Sequence, residues 1–230
     1  MRNRSGGFGL VEIMIALVLG LVIMLGVTQT FVSAKNTYAS QNASAVMQED
    51  ARFVLSKLVQ EIRMVGMFGC LQTVLDSSAT GDFKAAQTTP ISWDNATGTL
   101  TLITSATTTA AAAPNWTIRS DCKSSATAYT GVSAPANGQM AFPIRKLVYR
   151  FANGQITLGG QPLVSNVSAF TLLFGLASSS TGTAVTSYSA TPSNAALIRS
   201  VNVVLTLSDP KGKVRDQRFS VVAALRNRLE

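Results

Sequence analysis

Residues 6–35 read GGFGLVEIMIALVLGLVIMLGVTQTFVSAK, and the reading of this stretch decides the fold. Its core is the twenty residues 8–27, which carry a single charge, Glu12. At 1.5 Å per residue a helix of that length spans about 30 Å, the thickness of a bilayer's hydrocarbon core. Arg2 and Arg4 precede the run, and only Lys35 follows it closely. The bias of positive charge towards the cytoplasm therefore predicts an N-terminus inside and the rest of the chain outside. Glu12 is the anomaly, because a carboxylate at the centre of a membrane helix costs about 2.5–3.5 kcal/mol, and less near its end. Either it lies one turn in and snorkels to the headgroups, or it waits for a cation.

An ordinary secretory signal is the competing reading of the same residues. Such a signal has an apolar region of about 7–15 residues followed by a small-x-small cleavage site. Val32-Ser33-Ala34 would serve as that site. The apolar run is too long for this, it contains a glutamate, and the glycine pair ahead of it would have no role.

Beyond the apolar run the helical pattern persists, with no proline before Pro90. Met47, Ala51, Val54, Leu58, Ile62 and Val65 recur at spacings of three and four, with Gln48, Arg52, Ser56, Gln60 and Arg63 on another side. Gly66 and Gly69 are natural terminators. A continuous helix from Phe8 to Val65 would be roughly 87 Å long. Its first half would span a membrane and its second half would pack one face under a head.

After Cys70 the period changes to two. Thr99–Thr104 and Ile144–Phe151 read as strands, the latter with Leu147, Tyr149 and Phe151 on one face and Lys146 and Arg150 on the other. Asn153-Gly154 is a strong hairpin signal, so Gln155–Leu158 should pair back. Alternation over Val167–Leu176, Leu197–Leu207 and Arg215–Leu225 predicts three more half-buried antiparallel strands with one face on the helix. The Thr/Ala-rich segment Thr104–Pro114 and the Ser/Thr-rich segment Ala177–Asn194 read as exposed loops.

Composition narrows the chemistry. The chain has 230 residues and no histidine, which excludes Ser-His-Asp and Cys-His nucleophile systems and histidine-ligated zinc. An enzyme is not expected, nor a cofactor or metal. The two cysteines, Cys70 and Cys122, read in an exported chain as one disulfide, with two buried free thiols as the alternative. A bridge closing that loop would stabilise by roughly 4 kcal/mol on the chain-entropy model. The formal charge is +8, or +6 without Arg2 and Arg4. Lys211, Lys213, Arg215, Arg218, Arg226 and Arg228 concentrate much of it. Few aromatics are interleaved with them, so a solvated face or subunit contact is favoured over a nucleic-acid site. Arg218, Arg226 and Arg228 are expected on the solvent side of one strand.

Gly6-Gly7-Phe8 followed by Gly9-Leu10-Val11-Glu12 resembles the class III signal of type IV prepilins and type II secretion pseudopilins. In that family the cut lies ahead of the apolar run, and a glutamate stands fifth in the mature chain. The resemblance implies cleavage between Gly7 and Phe8 by a prepilin peptidase and N-methylation of Phe8. Glu12 would then meet the N-terminal ammonium of a neighbouring subunit. Many major pilins carry a proline within this helix, and this chain does not. EIRMVGMFGC at residues 61–70, residues 197–207 and the ending Ala223–Leu229 resemble the PilW group of minor pilins, relatives of the J-type minor pseudopilins; residues 73–140 carry little of that likeness.

The implied fold is α+β, a pilin fold with a long N-terminal helix packed on an antiparallel β-sheet head. Its parts would be a leader peptide (1–7), a transmembrane half-helix (8–27), an extracytoplasmic amphipathic half (28–66) and a β-rich head (67–230). The implied role is a subunit of a pilus tip or initiation complex that supports pilus assembly, adhesion and twitching motility, with a J-type pseudopilin of type II secretion as the alternative. Implied partners are the inner membrane, the peptidase, other minor pilins, the major pilin and a tip adhesin. The chain would be a single-pass inner-membrane protein with its C-terminus in the periplasm, and afterwards part of a surface pilus.

Overall fold

The computed structural model describes residues 9–106 and 113–228. One helix, α1 (Leu10–Arg63), runs unbroken for 54 residues, or about 81 Å. It has two environments. Every side chain from Leu10 to Tyr38 is exposed, whereas Met47, Ala51, Val54, Leu55, Leu58 and Ile62 are buried. All of the second set but Leu55 belong to the stripe that the three-and-four spacing picks out, and Val65, the last of that stripe, is buried just beyond the helix. Burying its five large apolar side chains contributes on the order of 10 kcal/mol of transfer free energy before entropic costs. The helix stops ahead of the glycines. Met64 and Val65 close it with backbone bonds to Glu61 and Ile62, and Gly66 and Gly69 then turn the chain at positive φ.

The expected β-sheet head is built from two sheets. The first uses β1 (Leu75–Asp76), β2 (Ile91–Asp94), β3 (Thr99–Ser105), β4 (Trp116–Ser120), β5 (Ala126–Thr130), β6 (Met140–Ala152), β7 (Gln155–Leu158) and β8 (Gln161–Ser165). Its order is β1-β5-β4-β6-β3-β2, with β7 and β8 continuing from β6. β6 is the spine: β4 pairs along its residues 140–144, β3 along 144–150 and β7 along 149–152. The second sheet has the order β10-β9-β11-β12, from β9 (Val167–Leu176), β10 (Ser187–Ser189), β11 (Ile198–Leu207) and β12 (Gln217–Ala224). All pairs are antiparallel except β1 with β5, which is parallel. Asn153 and Gly154 both take positive φ, and Ala152 pairs with Gln155, the geometry of a two-residue hairpin.

Two cores result. The larger joins the α1 stripe to Leu100 and Leu102 of β3, Tyr149 of β6, Phe170, Leu172 and Phe174 of β9, and Val201, Val203 and Leu205 of β11. The smaller lies on the opposite face of the first sheet, around Phe83 of the short helix α2 (Asp82–Thr88), with Ile103, Trp116, Ile118 and Ile144. The rings of Phe68, Phe83 and Trp116 meet edge to face at 5.3 and 5.9 Å. β3 therefore points Leu102 into one core and the next residue, Ile103, into the other.

Three local expectations change. Ala177–Asn194 is not wholly an open loop: it contains β10, and its start wraps a buried arginine, Arg199. Of Thr104–Pro114, Thr104 and Ser105 belong to β3, and residues 107–112 lie outside the described residues. Arg226 is not on a strand, because β12 ends at Ala224 and residues 226–228 form a short 3-10 turn.

Candidate functional site

The candidate site is the start of α1. Gly9 holds an extended conformation (φ −75°, ψ 146°) immediately before the first helical residue. Glycine offers no side-chain cap, so the exposed amides must find another acceptor. Glu12 supplies it. The Gly9 N–H donates to Glu12 Oε2 at 3.1 Å, while the Gly9 carbonyl accepts from Ile13 N at 3.3 Å. A carboxylate in the first turn also faces the positive end of the helix dipole. These contacts give Glu12 a partner within its own chain that neither sequence reading had assigned. One carboxylate oxygen is engaged; Oε1 has no partner within the described residues. Gly7 and Phe8 lie outside the described residues.

α1 has an 18-residue window with a mean hydropathy of 2.8, none of it buried by the head. Apart from Glu12, Leu10 to Val27 presents an apolar cylinder that the head leaves uncovered, the kind of surface that lipid or other apolar helices cover. Gly20 and Gly26 have open space around their α-carbons, so their lack of a side chain serves no contact within this chain.

Residues 2–28 match the family model of the prokaryotic N-terminal methylation motif. This is the prepilin-type N-terminus. The motif marks the chain as type IV pilin-like or pseudopilin-like and points to a structural protein. It implies processing by a prepilin peptidase and anchoring in a membrane during assembly. No curated protein matches the chain.

At the other end of α1, Cys70 and Cys122 are joined in a disulfide, with their α-carbons 5.4 Å apart. Cys122 sits at φ 54° in the turn between β4 and β5. Asp121 builds that turn: its Oδ1 accepts from the backbone amides of Lys123, Ser124 and Ser125, each at 2.9 Å. The Ser125, Lys123 and Ser124 amides hold the Asp121 carboxyl well below its ordinary range. The Cys122 amide donates to Ser120 Oγ at 3.0 Å. The bridge thus fastens the segment leaving α1 to the first sheet, close to the single backbone bridge between Val65 and Thr104.

The structure does not gather the basic cluster at one site. Lys211 and Lys213 border a cleft between the 208–213 turn and the Lys35–Asp50 stretch of α1, where burial and then Glu49 raise the Asp50 pKa. Arg226 lies instead beside Arg52 and Arg63. Among the described residues no group of three or more histidine, cysteine or acidic residues is placed to hold a metal ion.

Proposed function

We propose that the chain is a minor pilin of the PilW group, a subunit of the complex that starts or tips a type IV pilus. It is cut between Gly7 and Phe8, and Phe8 is N-methylated. Residues 8–27 of the mature chain cross the inner membrane, residues 28–66 lie outside it, and residues 67–230 form the periplasmic head. In the assembled filament Glu12 receives the Phe8 ammonium of a neighbouring subunit. The pilus it helps to build serves adhesion and twitching motility.

The observation that carries this reading is the order of features in residues 2–28. A glycine junction precedes the apolar run, a lone carboxylate stands five residues after it, and the helix that follows is left uncovered by its own head. Among the described residues Glu12 Oε1 has no partner, which leaves an acceptor for a neighbouring ammonium. Mass spectrometry of the mature N-terminal peptide tests the reading. The expected result is a chain beginning at N-methylated Phe8; a chain beginning at Lys35 would replace the pilin reading with a secretory signal. Deleting the gene should abolish surface pili and twitching. Loss of protein secretion with pili intact would move the chain to the J-type pseudopilins.

A further inference from the structure

A groove of about 720 Å³ runs between the second half of α1 and the end strand of the second sheet. Its floor is apolar, with Leu55, Val59 and Val221 among the lining residues, and Arg52, Arg63 and Arg226 stand around it. All three arginines are exposed, and among the described residues none of their guanidiniums makes a hydrogen bond or ion pair; the one salt bridge among the described residues is Lys57–Glu61. Among the described residues no carboxylate lines the groove. Three unpaired guanidiniums around an apolar floor form a surface complementary to apolar side chains flanked by carboxylates.

The strand beside the groove fixes the form of the occupant. β12 ends its sheet and, among the described residues, pairs only with β11. Val221 points towards α1 and Ser220 to the opposite side, yet both border the groove. The groove therefore opens along the free edge of β12, where backbone N–H and C=O groups await partners. We propose that this groove receives an extended, acidic segment of another protein, which adds as a strand to β12 and pairs its carboxylates with Arg52, Arg63 and Arg226. Arg52 and Arg63 are about 16 Å apart along the helix. Two glutamates four residues apart on one face of a strand are about 13 Å apart, and one apolar side chain between them falls on the floor. Membrane lipid is a poor occupant, because Arg52 lies about 38 Å along α1 from Val27, where the apolar run ends. The proposal goes beyond the pilus assignment and does not rest on the Glu12 contact.

The test is a titration of the full chain in detergent with a fluorescent, end-blocked heptapeptide. The peptide alternates threonine with glutamate, valine and glutamate, in that order. Saturable binding below about 1 mM is expected. Binding should weaken about tenfold in the triple variant Arg52→Gln, Arg63→Gln, Arg226→Gln, whose exposed positions leave the core untouched. It should vanish when alternate peptide amides are N-methylated on the edge that faces β12, and when lysine replaces glutamate. No binding at that concentration, equal binding to the triple variant, or indifference to N-methylation would each overturn the proposal. Tighter binding of a thymidine oligonucleotide than of the acidic peptide would overturn it in favour of a nucleic-acid groove.

Discussion

Arg199 is 2 % exposed and has no carboxylate partner, yet every one of its bonds is made. Its Nε donates to Gly182 O at 2.6 Å, one terminal nitrogen to Ala196 O and Ile198 O, and the other to Ser179 O and Ser180 O. It sits at the register shift between Ile198 and Ser200, and such a bulge re-aims a side chain. A guanidinium offers five donors in a fixed fork, and five carbonyls meet it here. The expected consequence is that Arg199→Met costs about 2–3 kcal/mol, because buried carbonyls lose their donor. Arg199→Lys should not rescue it, since an ammonium cannot reproduce the fork. Hydrogen exchange checks the assignment: residues 179–186 should lose protection while β12 keeps it.

Acid sensitivity belongs to the same scale. The Asp82 carboxyl is held below its ordinary value of 3.8, chiefly by the Trp116 indole N–H at 2.9 Å, and Asp121 is held below it by the turn amides. A carboxyl whose folded-state pKa is depressed binds fewer protons in the folded than in the unfolded state between the two values. Its contribution is therefore complete above the unfolded value and is lost as pH falls through the folded one. Thermal unfolding midpoints should be level from about pH 5 to 7 and should fall below about pH 4. Asp121→Asn, which keeps an oxygen for the turn amides, should make that fall shallower.

At the scale of elements, what could be read in advance follows from how each element is buried. α1 carries a long one-sided stripe, and β9 and β12 alternate cleanly because one face meets the core. β4 and β5 were not legible. β4 is buried at four of its five positions, so no alternation marks it, and β5 is built from alanine, threonine and one tyrosine. α2 has seven residues and one fully buried apolar side chain, Phe83, too little to register a helical period. The smaller core on the far face of the first sheet was hidden for the same reason. A glycine gives a sharper test. Gly98, at φ 62°, closes the turn from β2 to β3, and a β-carbon there would stand 2.5 Å from the Phe151 carbonyl oxygen. Gly98→Ala should destabilise the chain by more than about 1 kcal/mol, whereas Gly81→Ala, also at positive φ but in open space, should cost only about that backbone term. Chemical denaturation of the two variants side by side separates contact from conformation.

At the scale of the whole molecule, the N-terminal motif can be read in the sequence and the groove cannot. Gly7, Phe8 and Glu12 lie within six consecutive residues, so a local motif carries them. The groove of Arg52, Arg63 and Arg226 joins the first helix to the last turn, and only folding brings them together. What Glu12 does in an assembly can be separated from what it does within its own chain. Its carboxylate accepts the Gly9 amide, a contact worth about 1 kcal/mol as helix caps go. Burying the same carboxylate in lipid costs as much or more, so removing it does not hinder insertion. Glu12→Ala and Glu12→Gln should therefore both enter the membrane and both be cleaved after Gly7. Joining the other subunits should fail, because the Phe8 ammonium of each neighbour would be left in hydrocarbon without a counter-charge. Co-purification of the partner pilins from membranes, with surface piliation scored alongside, measures this. Normal recovery with both variants would confine Glu12 to capping its own helix at the headgroup level. Loss of cleavage would place its role at the peptidase. Failure of both variants to co-purify, with cleavage intact, is the outcome that Oε1, without a partner among the described residues, leads us to expect.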